Sequence, residues 1–325
     1  MLPTLTVDCC CEKDIVRNNQ SKNAAGNDIG VFVSAVDALT GWQFLGIVIA
    51  LRGPSRWDDD GAGTPAAIVT SDAAGNHRVL LAYSGRTPHG GSLMVAVASH
   101  PRGPFNRSAA PVPASMYPGK DKAGDEDGNI FLRRPGDPLS HATLMFETKA
   151  APPESKLPCG HHKRQRFTYC TRAVRTTDGG SSWEGGEVLL GRQGLMEPLT
   201  AAWFGERLVY ITDNRHGGHD AKGSPVPGHP WSTYLDAYLS SDGRTFVPAD
   251  PFAIEAGEPL TRKVDTPAPP TLVDCPINAT SCCEQPCITF VADEHGAPIA
   301  VSFVRNDNAT GLDGGYTNFV YEFVQ

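Results

Sequence analysis

The sequence predicts an all-β chain, built as a five-bladed β-propeller with blades of mostly four antiparallel strands. Short runs rich in Val, Ile, Leu, Phe and Tyr recur throughout, and Gly, Pro, Asp and Asn segments break them. No stretch carries a capped helical period. A turn pattern also repeats at intervals that suit a propeller blade with generous loops.

The runs Val31 to Val36, Arg78 to Tyr83, Leu93 to Ala98, Leu208 to Thr212 and Ile299 to Val304 are the clearest strands. The repeating turn joins Ser34-Ala-Val-Asp37 to Trp42 and Ser99-His-Pro to Phe105. It returns at Thr176-Thr-Asp178-Gly-Gly-Ser-Ser-Trp183 and at Ser240-Ser-Asp242-Gly-Arg-Thr-Phe246. Asp and Ser side chains close such turns on their own backbone, and the aromatic opens the next strand and packs between sheets. These aromatics lie 63, 78 and 63 residues apart.

A second landmark comes before an innermost strand. Gly63-Thr64-Pro65 precedes Ala66 to Thr70, and Glu126-Asp127-Gly128 precedes Asn129 to Leu132. Met196-Glu197-Pro198 precedes Leu199 to Trp203, and Glu284-Gln285-Pro286 precedes Cys287 to Val291. A second strand ending in Tyr83, Phe146, Tyr210 or Phe303 follows each. With one blade at the N-terminus this makes five, in a single domain over residues 1–325. Leu2 to Val7 is then expected to close the last blade as its outer strand, which would remove an open sheet edge.

Composition narrows the function. Of 325 residues, 40% are hydrophobic and 20% charged, an ordinary folded composition. The formal charge of -8, from 28 basic and 36 acidic residues, argues against nucleic acid or an anionic membrane as partner. No apolar run approaches the roughly 18 residues of a membrane span. Met1 to Asp8 has no basic or apolar leader segment, so no signal peptide is visible. The sequons at Asn106, Asn278 and Asn308 and the nine cysteines lean towards an extracellular or secretory setting. The cysteines have no doubled Cys-x-x-Cys spacing that would signal zinc. Cys9 to Cys11 are expected beside Cys282, Cys283 and Cys287 at the seam of the ring, bonded or buried as small apolar groups. Cys159 and Cys170 are expected to clip the third-blade insertion.

Innermost strands of a propeller start at one mouth of the central channel. The landmarks therefore place Thr64, Asp127, Glu197 and Gln285 on one ring, with Asp8 the blade-one candidate and Asp14 an alternative register. Converging carboxylates repel, their pKa values split, and the split supplies an acid and a base. Loops at the same mouth contribute Trp57, Asp60, Arg86, His161, Arg215, His216 and Trp231 as candidate substrate-binding residues. The cations and imidazoles suit an anionic or sulfated sugar. His216 and His219 alternatively suit a metal, and solvated loop charge explains both equally well. Trp57 and Trp231 are either stacking platforms or packing residues.

Several of these segments resemble one family. Ser34-Ala-Val-Asp37-Ala-Leu-Thr-Gly-Trp42-Gln-Phe-Leu-Gly46 is similar to a turn of the five-bladed glycoside hydrolases of the arabinanase/β-xylosidase kind, family 43 and its relatives. Glu197-Pro198 with Trp203 to Tyr210 resembles their general-acid segment, and Asp127-Gly-Asn-Ile-Phe131 resembles their third-blade Asp segment. Trp57-Asp-Asp-Asp-Gly-Ala-Gly-Thr-Pro65 is similar to a second-blade signature. The resemblance implies an inverting hydrolysis of a glycosidic bond in an oligosaccharide or polysaccharide. Asp8 would be the base, Asp127 would orient the acid and tune its pKa, and Glu197 would be the acid. It implies no cofactor, though a structural divalent cation in the channel is compatible with it. Two positions depart from the family: its usual Asp-Pro reads Asp8-Cys9 in blade one and Asp127-Gly128 in blade three. A carbohydrate-binding propeller without a base, or a propeller enzyme of different chemistry, are the alternatives. The turns at Asp178 and Asp242 resemble the Asp-box of sialidases, and their position between outer strands makes them structural.

Overall fold

Every described element of the chain is a β-strand. The computed structural model describes residues 29–33, 43–49, 57–58, 61–87, 90–112, 125–150, 160–161, 168–191, 195–215, 233–249, 261–263, 288–292, 298–306 and 316–323. The described strands form five antiparallel sheets in chain order. The first pairs β1 (Ile29–Val33) with β2 (Gln43–Ile49). The second is a meander of β3 (Gly61–Ser71), β4 (His77–Thr87), β5 (Gly90–Ala98) and β6 (Asn106–Arg107). The third runs β7 (Asp125–Leu132), β8 (Ala142–Ala150), β10 (Thr168–Thr176), β11 (Glu184–Gly191), and the short β9 (Gly160–His161) also pairs with β10. The fourth is β12 (Leu195–Phe204), β13 (Arg207–Arg215), β14 (Thr233–Ser240) and β15 (Val247–Ala249). The fifth holds β16 (Thr261–Lys263), β17 (Ile288–Ala292), β18 (Pro298–Asn306) and β19 (Tyr316–Phe323) in the order β17-β18-β19-β16.

The described residues of the expected strands lie in strands, with two differences. The landmarks lie inside β3, β7 and β12 rather than ahead of them. At the edge beside β19 where Leu2 to Val7 are expected, β16 pairs with Tyr321 to Phe323. Leu2 to Val7 and the cysteines at 9–11, 282, 283 and 287 lie outside the described residues.

The cores lie between successive sheets, which explains why the middle strands are apolar on both faces. On β4, Leu81 and Tyr83 join Ile29, Ile49, Trp57 and Met94 in a cluster facing the first sheet. Ala82, between them, faces the other way, into a cluster with Leu93, Leu144 and Phe146. On β8, Met145 is turned to the fourth sheet and packs with Trp203, Leu208 and Tyr210. One edge strand of each of these sheets lies against the next, β3 on β7, β7 on β12 and β12 on β17.

Polar clamps hold the sheets at the end of β3 away from Gly61. The Arg133 guanidinium donates to the carbonyls of Val69 (2.6 Å), Leu139 (2.9 Å) and His141 (3.0 Å), while Thr70 Oγ1 also donates to Leu139 O. Arg134 lies 5.0 Å over the Trp203 ring of the fourth sheet. The two Asp-box turns sit between outer strands, as expected. Asp178 accepts from Thr176 Oγ1 and from the Ser182 amide and hydroxyl. Asp242 accepts from the amides of Arg244 and Thr245. Their aromatics pack inward, Trp183 on Phe131 at 6.3 Å and Phe246 on Tyr210 at 5.7 Å.

Candidate functional site

Each of the three middle innermost strands breaks its pairing at the same level. In β3 the register jumps from Gly63↔Ser84 to Ala66↔Ala82, so that Thr64 and Pro65 face Tyr83 alone. In β7 it jumps from Asp127↔Glu147 to Ile130↔Met145, leaving Gly128 and Asn129 against Phe146. In β12 Glu197↔Asp213 and Pro198↔Thr212 are followed by Thr200↔Ile211, with Leu199 extra. Such bulges kink a strand and re-aim its side chains, and they recur beside active sites.

Aligning the bulges puts Gly63, Asp127 and Glu197 at one register position of three adjacent sheets. Asp127 and Glu197 thus occupy equivalent register positions. Thr64 lies one residue further along, within its bulge. One strand outward, the same row carries Ser84, Glu147 and Asp213. Two residues beyond it stand Arg86, Lys149 and Arg215, paired with Gly61, Asp125 and Leu195. Acidic positions and cationic positions therefore share one end of the second, third and fourth sheets.

The second sheet shows how the polar side chains are held. Thr64 has a φ of +41°, unusual for any residue with a side chain and more so for a β-branched one. Its hydroxyl lies 2.7 Å from Ser84 Oγ, and its carbonyl accepts from Asn129 Nδ2 of the third sheet at 2.7 Å. Backbone strain of this kind costs on the order of 1–3 kcal/mol and persists only where the surroundings over-determine it. Behind it, Asp58 is fully buried and accepts from the Tyr83 hydroxyl and from Arg107, each at 2.8 Å. Burial, and then the Asp58 charge, push the Tyr83 phenol far up, so it stays a donor. Asp58 can approach because residue 85 is glycine: a Cβ there would lie 2.5 Å from the Trp57 carbonyl and 3.1 Å from Asp58 Cβ.

In the third sheet Glu147 is fully buried, and the row continues from it to Thr171. Thr171 Oγ1 lies 2.8 Å from the Tyr210 hydroxyl of the fourth sheet. A buried carboxylate between two sheets, level with Asp127, is an element of the site that the repeat does not single out. Its signal in the sequence is a charge directly after the apolar run Leu144-Met-Phe146.

Of the other expected residues, Trp57 is 9% exposed and packs in the core between the first two sheets, so little of its ring is open to a ligand. Arg86, His161 and Arg215 lie at strand positions opposite Gly91, Thr168 and Thr233. Asp8, Asp14, Asp60, His216, His219, Trp231 and Gln285 lie outside the described residues. Among the described residues no three His, Cys, Asp or Glu side chains group as a metal site.

Neither a protein-family model nor a curated protein matches this sequence. Solved structures do match in shape. A thermostable family-43 glycoside hydrolase aligns with a TM-score of 0.54 at 11% identity, covering 93% of this chain and 84% of its own. The fold is that of the family-43 glycoside hydrolases and related propellers. An endo-1,4-β-xylanase from Bacteroides thetaiotaomicron aligns at 0.50 and 13% identity, over 94% of this chain and 84% of the other. A structure from the GH130 mannoside phosphorylases, a family containing hydrolases that target β-1,2 mannosidic linkages in Candida mannan, aligns at 0.50 and 13%. It covers 91% of this chain and 76% of the other. At such identities the likeness is one of fold, and a fold does not determine chemistry.

Proposed function

We propose that this chain is a five-bladed propeller glycoside hydrolase acting with inversion on an oligosaccharide or polysaccharide. The observation that carries this reading is the shared bulge register, which sets Asp127 and Glu197 at equivalent positions of neighbouring innermost strands. Glu197 is assigned as the general acid that protonates the leaving oxygen. Asp127 orients it and tunes its proton affinity. Asp8 is the base that takes a proton from a water as that water attacks the anomeric carbon and the glycosidic C–O bond breaks. An inverting pair needs roughly 6.5–9.5 Å between acid and base to admit that water.

Asp60, Thr64, Arg86, His161, Arg215, His216, Trp231 and Gln285 are assigned to substrate binding, and Trp57 to the wall behind them. The cationic row of Arg86, Lys149 and Arg215 supports an anionic sugar. The same reading takes Cys159 and Cys170 as a disulfide across residues 150–166, formed in an extracellular or secretory compartment. Cys170 is fully buried on β10, whereas Cys159 lies outside the described residues. Titrating thiols in denaturant before and after reduction checks this, and an unchanged thiol count rules the bond out.

Screening the wild-type protein on aryl glycosides beside Glu197→Gln tests the hydrolase. On aryl glycosides with poor leaving groups the variant is expected to lose about a hundredfold to ten-thousandfold in kcat/KM, the usual size of a general-acid contribution. If both proteins are inactive while both bind sugar, the chain is a carbohydrate-binding propeller instead, a reading favoured by Cys9 where the family has proline.

A further inference from the structure

Asn129 sits in the bulge of β7, two residues after Asp127, and is only 9% exposed. Its amide reaches across the seam to the second sheet. Nδ2 lies 2.7 Å from Thr64 O, with Thr64 Oγ1 and Ser84 Oγ both at 3.4 Å. Thr64 O can only accept, so the atom beside it must be the nitrogen and the orientation of the amide is determined. That leaves Oδ1 on the other branch of the amide, buried and with no hydrogen-bond partner among the described residues. Buried amide oxygens are almost always paired, because an unpaired one forfeits its hydration without replacement.

Two unfavourable features therefore coincide at one seam: a β-branched residue at positive φ and an amide oxygen without a donor. Both lie beside the register position of Asp127, where innermost strands of adjacent sheets meet. Strained backbone clusters at active sites and ligand clamps, and a buried polar atom without a partner calls for an explanation. We propose that Asn129 is a carbohydrate-contacting residue, whose Oδ1 accepts a hydrogen bond from a hydroxyl of the bound sugar while Nδ2 is anchored on Thr64. This rests on the reading that the mouth binds a saccharide. It adds a specificity-determining acceptor to that reading: the ligand must present a free hydroxyl to the seam between the second and third sheets, and a monodeoxy sugar lacking that hydroxyl is discriminated against.

The test uses the full chain, with p-nitrophenyl β-D-xyloside, α-L-arabinofuranoside and β-D-glucuronide for turnover and xylotriose and arabinotriose for calorimetric binding. Asn129→Ser is expected to raise KM or Kd for the accepted probe about threefold to tenfold, the effect of one neutral hydrogen bond. Against wild type, one monodeoxy form of that probe should bind correspondingly worse, and Asn129→Ser should no longer distinguish it from the parent sugar. If the variant only lowers the melting temperature while KM, Kd and deoxy discrimination stay at wild-type values, Asn129 is a structural seam residue and the proposal falls. Binding without turnover would remove the hydrolase reading, yet the Kd series would still decide the role of Asn129. Failure of wild type to bind any probe would overturn the proposal. Should Asn129→Ser not fold, a crystal structure of wild type with a bound probe decides: Oδ1 within 3.2 Å of a sugar hydroxyl supports it, and no sugar oxygen within 3.5 Å overturns it.

Discussion

Thr64 holds a backbone conformation that glycine adopts freely and a β-branched residue resists. Its hydroxyl and its carbonyl are both engaged, by Ser84 and Asn129 respectively. Substituting it separates strain from contact. Thr64→Ala keeps the strain and loses the hydroxyl, whereas Thr64→Gly loses the hydroxyl and relieves the strain. Both keep the carbonyl that Asn129 needs. In an ordinary strand the alanine variant would be the more stable. Here the glycine variant should be more stable than the alanine one by about 1 kcal/mol, read from urea unfolding midpoints. The reverse order would show that the positive φ carries no cost. The sequence marks Thr64 through the Gly-Thr-Pro landmark, but nothing local reveals its φ, because the restraint comes from Asn129, 65 residues away.

The Asp-box turns are the elements most completely legible in the sequence, since every partner of Asp178 and Asp242 lies within four residues. Burial raises the Asp178 pKa, but the Ser182 and Thr176 hydrogen bonds outweigh it and leave the group below the usual carboxylate range. Asp242 is lowered further, chiefly by the amides of Thr245 and Arg244. A carboxylate depressed on folding contributes stability that is complete above its unfolded value. That stability disappears as pH falls through the folded value. Stability should therefore decline as pH drops below about 4, the unfolded carboxylate range. Asp178→Asn and Asp242→Asn should each flatten that decline in acid urea titrations while lowering stability near neutrality. An unchanged acid slope would remove the turns as its source. The innermost strands are less legible. Their alternation is readable, but the bulges that bring Asp127 level with Glu197 are a property of pairing and appear in neither strand alone.

Across the whole molecule, the sheets are joined by interdigitating apolar faces and by polar clamps, among which Arg133 is a buried cation. Its guanidinium serves three carbonyls from two sheets, and burial lowers its pKa without removing its charge. Arg133→Met should cost about 3 kcal/mol by removing this buried donor from all three carbonyls and leaving Leu139 O only the Thr70 hydroxyl, measured by equilibrium urea unfolding. A loss below about 1 kcal/mol would mean that solvent takes over the role. The sequence by itself determined the all-β class, the strand runs, the Asp-box turns and the landmarks that carry Asp127 and Glu197. Those features depend on alternation and on contacts within a few residues, so they survive in a linear reading. Only the tertiary structure decided that β16 pairs with the end of β19, that Glu147 and Asp58 are buried, and that Thr64 is strained against Asn129. Each of these depends on which distant segments meet and in what register, and that is settled by packing across sheets rather than by any local propensity.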